Sequence, residues 1–153
     1  MNSSCSNETN KKEYNKAFFG LWEKVFIELK NEYGTKQCLL IARKIMEKSL
    51  ADAYDATGFK KGKPEEFSRI LKLRDNDVGL DVDFPIVTEN EIVYDFKTDP
   101  FPNLKNDFSV DEIYSTFIPF KIKYILGDNW NYKITKNIWN KDKFTEIVIT
   151  KEK

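Results

Sequence analysis

The sequence predicts an α+β domain, with helices packed on one face of a four-stranded, mostly antiparallel sheet made of two hairpins. Three observations carry this. Apolar residues recur at helical spacing from Tyr14 to Ala56. They then alternate with polar residues in VGLDVDF (78–84) and IVYDF (92–96). The alternation returns near the end of the chain in WNYKITKNIW (130–139) and FTEIVI (144–149). TENE (88–91) and NKDK (140–143) supply the turn that joins each pair of runs.

The elements follow in order. From Lys12, Tyr14, Ala17, Phe18, Leu21, Trp22, Val25, Phe26, Leu29 and Tyr33 form an apolar stripe opposite Glu23, Lys24, Glu28 and Lys30. Gly34 supplies a stop, and Thr35 can cap a second helix that runs from Lys36 to Thr57 and ends at Gly58. Its small residues Ala42, Ser49, Ala53 and Ala56 let the sheet, or a second copy in a homodimer, approach closely. Pro64 suits the first position of a third, short helix, with Glu65 and Glu66 at its positive end and Phe67, Ile70 and Leu71 inward. Asp81, Asp83 and Asp95 alternate with apolar neighbours, which places them on the solvated face of a half-buried sheet. Pro85 marks an edge strand or a bend. Ser109 and Glu112 form a capping box ahead of a helix carrying Ile113, Phe117, Ile118 and Phe120, broken at Pro119 and continuing to Gly127.

Composition narrows the chemistry. A chain of 153 residues fits one domain, assigned to 12–150, behind a polar leader (1–11) expected to be disordered. Lys plus Arg and Asp plus Glu both number 25, so there is no basic excess to drive nucleic-acid binding. With no histidine there is no imidazole base and no imidazole metal ligand. Cys5 and Cys38 are too few for a structural zinc site and are not expected to pair; their usage suits a reducing cytosol. No metal and no cofactor is expected. No stretch is long and apolar enough to span a membrane, so no membrane partner is expected either.

TDPFPN (98–103) is the least ordinary stretch: Pro100 and Pro102 stiffen the exit of a strand around Phe101. This stretch and LGDNWNYKITKNIWNKDKFTEIVI (126–149) resemble the L-2-amino-thiazoline-4-carboxylic acid hydrolase-like family, which is similar in turn to 4-vinyl-reductase-type ligand-binding domains. In that family's Thr-x-Cys-Pro-aromatic motif, Asp99 stands in the cysteine's place; in its Cys-Asp-Phe strand, Thr145-Glu146-Ile147 do. Both family cysteines are therefore absent, and no thiol chemistry carries over.

The resemblance implies a small organic ligand and, if catalysis survives, hydrolysis of a carbon–nitrogen bond in a small cyclic amidine. Without histidine, a carboxylate must activate the water. The resemblance points to Asp99, with Glu146 as a second candidate. Thr145 would orient the ligand, and Phe101, Trp130 and Tyr132 would wall the pocket. Two other functions stay open: a non-catalytic small-molecule-binding domain, and a dimerisation or protein-interaction module. A cavity of about 300 Å³ or more that reaches Asp99 favours ligand binding or catalysis. A filled core beside an exposed apolar patch marks the interaction module.

Overall fold

The computed structural model describes residues 12–153; the leader (1–11), with Cys5, lies outside them. The fold is α+β, as the sequence predicts: α1 (Lys16–Thr57), α2 (Pro64–Asp77), β1 (Val82–Val87), β2 (Glu91–Phe96), α3 (Val110–Tyr114), α4 (Ile118–Ile125), β3 (Trp130–Lys136) and β4 (Thr145–Lys151). The strands form one antiparallel sheet in the order β1-β2-β4-β3, two hairpins side by side.

The two helices expected on either side of Gly34 are the arms of α1, which breaks there without a connecting loop (φ 83°, ψ 168°). The Asn15 side chain caps the start by accepting from the Phe18 N–H at 3.0 Å. Phe19, Glu23 and Phe26 are buried on the first arm, and Cys38, Ala42, Met46 and Tyr54 on the second. Phe18, Leu21, Tyr33, Leu40 and Ile45 stay exposed, because the apolar stripe is wider than the surface it packs on. The Cys38 thiol donates to the Phe26 carbonyl at 3.2 Å, tying one arm to the other across Gly34.

The third helix is longer than expected, and the first strand starts later. Val78 and Leu80 look like strand residues, but they cap α2. The Val78, Gly79 and Leu80 N–H groups donate to carbonyls of Asp75 and Asn76, and Gly79 takes a left-handed φ of 80°. Pro85 does lie in an edge strand, within a register shift between Asp83 and Ile86. The capping box forms as predicted: Ser109 Oγ accepts from Glu112 N–H at 3.1 Å, and Glu112 Oε1 accepts from Ser109 N–H at 2.9 Å. The break falls before Pro119, not at it. Pro119 sits in the first turn of α4, where its missing N–H costs nothing.

Val82, Ile92, Tyr94, Phe96, Ile147 and Ile149 bury one face of the sheet against the helices. The opposite face corrects one expectation. Asp83 is half-exposed, but Asp95 is only 7% exposed, because it lies on the central strand β2 with Asp83 and Glu146 directly across on either side. Burial first, and then Glu146 and Asp83, push the Asp95 carboxyl up to about 6, against the pull of Lys136 and Lys97.

Two predictions follow from these placements. A Cβ on Gly79 would meet the Glu13 carbonyl oxygen at 2.0 Å, in a conformation side chains rarely adopt. Gly79→Ala should therefore cost about 2–4 kcal/mol in urea unfolding. For Asp95, the folded state holds its proton to higher pH than the unfolded state does. Its contribution to stability is thus complete below about pH 4 and fades as pH rises to about 6. Asp95→Asn should flatten that window and stabilise the protein by about 1 kcal/mol at pH 7, read from melting curves between pH 4 and 8.

Candidate functional site

The strand-exit loop is fastened from five directions. Thr98 Oγ1 accepts from the Asp81 N–H at 3.1 Å, and the Pro100 carbonyl accepts from the Tyr14 hydroxyl at 2.8 Å. Burial pushes the Tyr14 phenol up to about 12, with Glu23 and Asp99 adding to it. Asn103 donates its N–H and its Nδ2 to the buried Glu23 carboxylate at 2.7 and 3.1 Å. Phe101 is 3% exposed and packs edge-on against Phe19 and Phe26, with ring centroids 5.6 Å away in each case. Asp99 closes the set: Oδ1 accepts from the Phe101 N–H at 3.0 Å and Oδ2 from Trp139 Nε1 at 2.8 Å. Burial raises its carboxyl above the ordinary range, while these two hydrogen bonds hold it down.

The loop and the last hairpin therefore do lie together, through Asp99 and Trp139. Thr145 is buried nearby, and its hydroxyl accepts from the Ile138 N–H at 3.2 Å. Glu146 points to the other face of the sheet, where it accepts from the Thr135 hydroxyl at 2.7 Å and lies 3.8 Å from Lys136 Nζ. Trp130 and Tyr132 sit at the far end of the hairpin. Trp130 pairs with Lys151, six residues along β4 from Thr145, roughly 20 Å at the rise of a strand. There they line a shallow depression of about 220 Å³ with Pro119 and Lys123. The six residues expected to form one site are thus spread over three places.

A cavity larger than that depression lies elsewhere in part. About 340 Å³ lies between the two arms of α1, α2, α4 and the strand-exit loop. Its wall includes Phe19, Trp22, Met46, Phe96, Phe101 and Phe117, with the exposed Phe18 at its rim. Pro100 and Phe101 face it, so the loop singled out by the sequence does border a cavity, through its apolar residues and not through Asp99.

One patch of this wall is polar. Lys121 of α4 and Asp75 of α2 line it as a buried ion pair, Nζ to Oδ1 at 3.1 Å, with side chains 4% and 8% exposed. Tyr94 of β2 completes the group: its hydroxyl donates to Asp75 Oδ2 and accepts from Lys121 Nζ at 3.2 Å. Burial, then Asp75, drive the Tyr94 phenol well above its ordinary titration range. Tyr54 and Arg74 also line the cavity. Arg74 donates to the Ala53 carbonyl at 2.8 Å and to Asp77 at 3.3 Å, but its Nε and the Tyr54 hydroxyl have no hydrogen-bond partner.

These residues escaped sequence reasoning, yet a signal was there. Lys121 falls on the apolar stripe Ile118, Ile122, Ile125, and Asp75 on the stripe Phe67, Ile70, Leu71. One charge of each sign on the inward faces of two helices announces a buried pair. No group of three or more acidic or cysteine side chains among the described residues is arranged to hold a metal, and no helix among them is long and apolar enough to cross a membrane.

No protein-family model and no curated protein matches the chain. The resemblance of the second half rests on the two quoted stretches alone.

Removing one member of a buried pair strands the other charge. Asp75→Ala should cost about 3–5 kcal/mol, whereas Asp75→Leu combined with Lys121→Met should recover most of that loss, both read by urea unfolding. Asp99→Ala, which frees the Phe101 N–H and the Trp139 indole, should cost about 1–2 kcal/mol in the same assay, and Asp99→Asn, which keeps one acceptor, less than Ala.

Proposed function

We propose that the chain is a small-molecule-binding domain whose ligand occupies the cavity between α1, α2 and α4. The observation that carries this reading is an apolar-walled space of about 340 Å³ with a hydrogen-bonded ion pair set into its wall. Protein interiors are close-packed, and voids beyond the size of a water are few. A volume in the range of ligand sites, walled by aromatic rings with a few polar groups in one patch, has the make-up of a binding pocket.

Hydrolysis of a small cyclic amidine, which the resemblance implies, would call on Asp99 or Glu146. Asp99 already accepts two hydrogen bonds and meets the cavity only through its neighbours Pro100 and Phe101. Glu146 lies on the other face of the sheet. The geometry therefore favours binding over turnover at these carboxylates. A second reading, self-association into a homodimer, is favoured by the exposed Leu21, Tyr33, Leu40 and Ile45 along α1. Sedimentation at increasing concentration tests it, and a purely monomeric profile rules it out.

The binding reading is tested with phenylnaphthylamine, an uncharged dye that brightens in apolar surroundings. One saturable site per chain is expected. Ser49 is exposed on α1 yet lines the cavity, so Ser49→Trp should fill the space while leaving the fold intact. The variant should keep its melting temperature and lose at least about tenfold in dye affinity, a difference of about 1.4 kcal/mol. Equal dye binding by both proteins would place the ligand elsewhere.

A further inference from the structure

The polar patch in the cavity wall is balanced in charge and unbalanced in hydrogen bonds. Lys121 is paired with Asp75, and Arg74 with Asp77, so the four charged residues lining the space cancel. Donors are nonetheless in surplus. An ammonium carries three hydrogens, and Lys121 directs two of them to Asp75 Oδ1 and Tyr94 Oη. The third has no oxygen acceptor among the described residues and lies among rings, with Nζ 5.5, 5.7 and 5.4 Å from the centroids of Tyr94, Phe96 and Phe117. Tyr54 Oη and Arg74 Nε are without partners as well. Burial, then Asp75, push the Tyr54 phenol well above its ordinary range, so it keeps its proton at neutral pH. On the acceptor side, both oxygens of Asp75 are taken, by Lys121 and by Tyr94.

Each class of ligand meets this wall differently. A carboxylate would set a second anion beside Asp75 in a space of low dielectric, with no unpaired cation to receive it. An ammonium or amidinium would set a second cation beside Lys121, with no free carboxylate oxygen. A plain hydrocarbon would leave the spare donors unmet. An uncharged molecule with an acceptor oxygen takes up a donor without disturbing either pair. The walls add a shape: Phe19, Trp22, Phe96, Phe101 and Phe117 present rings, which favour a flat, π-bearing body.

We infer that the ligand of this cavity is an uncharged, flat, mostly apolar molecule presenting a carbonyl-type oxygen to the Lys121–Asp75–Tyr94 patch. The inference rests on the binding-domain reading above and narrows it to one chemical class. It also sets this site apart from the charged thiazoline carboxylate after which the resembling family is named.

The test is displacement of bound phenylnaphthylamine by four probes on one skeleton: acetylnaphthalene, naphthoate, naphthylmethylammonium and ethylnaphthalene. Acetylnaphthalene should displace the dye at a concentration at least about tenfold below each of the others. In the Asp75→Leu, Lys121→Met, Tyr94→Phe variant, which removes every donor of the patch together, most of its advantage over ethylnaphthalene should be lost, and full retention would overturn the patch's role. The same measurement on Tyr54→Phe, which removes only an unpartnered hydroxyl outside the patch and so keeps the fold, should leave that advantage in place, and its loss there would overturn the assignment to the patch. Naphthoate or the ammonium competing as well as the ketone would overturn the charge argument while leaving the binding domain in place. Ethylnaphthalene matching the ketone would overturn the role of the spare donors. Failure of the dye and of all four probes to bind would remove both the inference and the binding-domain reading.

Discussion

The ion pair between Lys121 and Asp75 is the constraint on which the arrangement of layers depends. Each charge sits on the inward stripe of a helix, and neither can be tolerated there alone. Their mutual attraction offsets desolvation better when neighbouring groups add hydrogen bonds, and Tyr94 adds two from the sheet, one to Asp75 Oδ2 and one from Lys121 Nζ. Three elements distant in sequence, α2, β2 and α4, are thereby held to one geometry. A core of leucines would pack these layers with less demand on orientation. The pair instead fixes how α4 lies over β2 and, with it, one wall of the cavity beside them.

The strand-exit loop supplies another part of the wall. Pro100 and Pro102 remove backbone freedom where the chain leaves β2, so little ordering entropy remains to be lost when Phe101 packs against Phe19 and Phe26. The loop gathers contacts from the segment before α1, from α1 itself, from the residue before β1 and from the turn before β4. A rigid loop with its aromatic inward and its carboxylate tied to Trp139 keeps the cavity from collapsing on that side. The prolines serve that rigidity.

Much of this was legible in the sequence. Period-two alternation located both hairpins, and the capping box at Ser109 and Glu112 located α3. Where structure and expectation differ, a local signal has two physical meanings. Val78-Gly79-Leu80 alternates like a strand, but the left-handed Gly79 makes it a helix cap. Asp95 alternates like a surface residue, but its strand is central and its neighbours cover it. Trp139 reads as strand and instead leaves β3 in a short 3-10 turn to reach Asp99. The candidate site was half visible. Phe101 was found because proline flags a special backbone, whereas Lys121 and Asp75 become a pair only once two helices, distant in sequence, are brought face to face.

The central claim is that the space between α1, α2 and α4 is a preformed binding cavity. Diffraction from crystals held under xenon tests it most directly, since xenon enters apolar cavities without needing any particular hydrogen bond. The account predicts xenon density against Phe19, Trp22, Met46 and Phe117, with Lys121 still paired to Asp75. Side chains of Trp22 and Met46 folded into a space without xenon would contradict it.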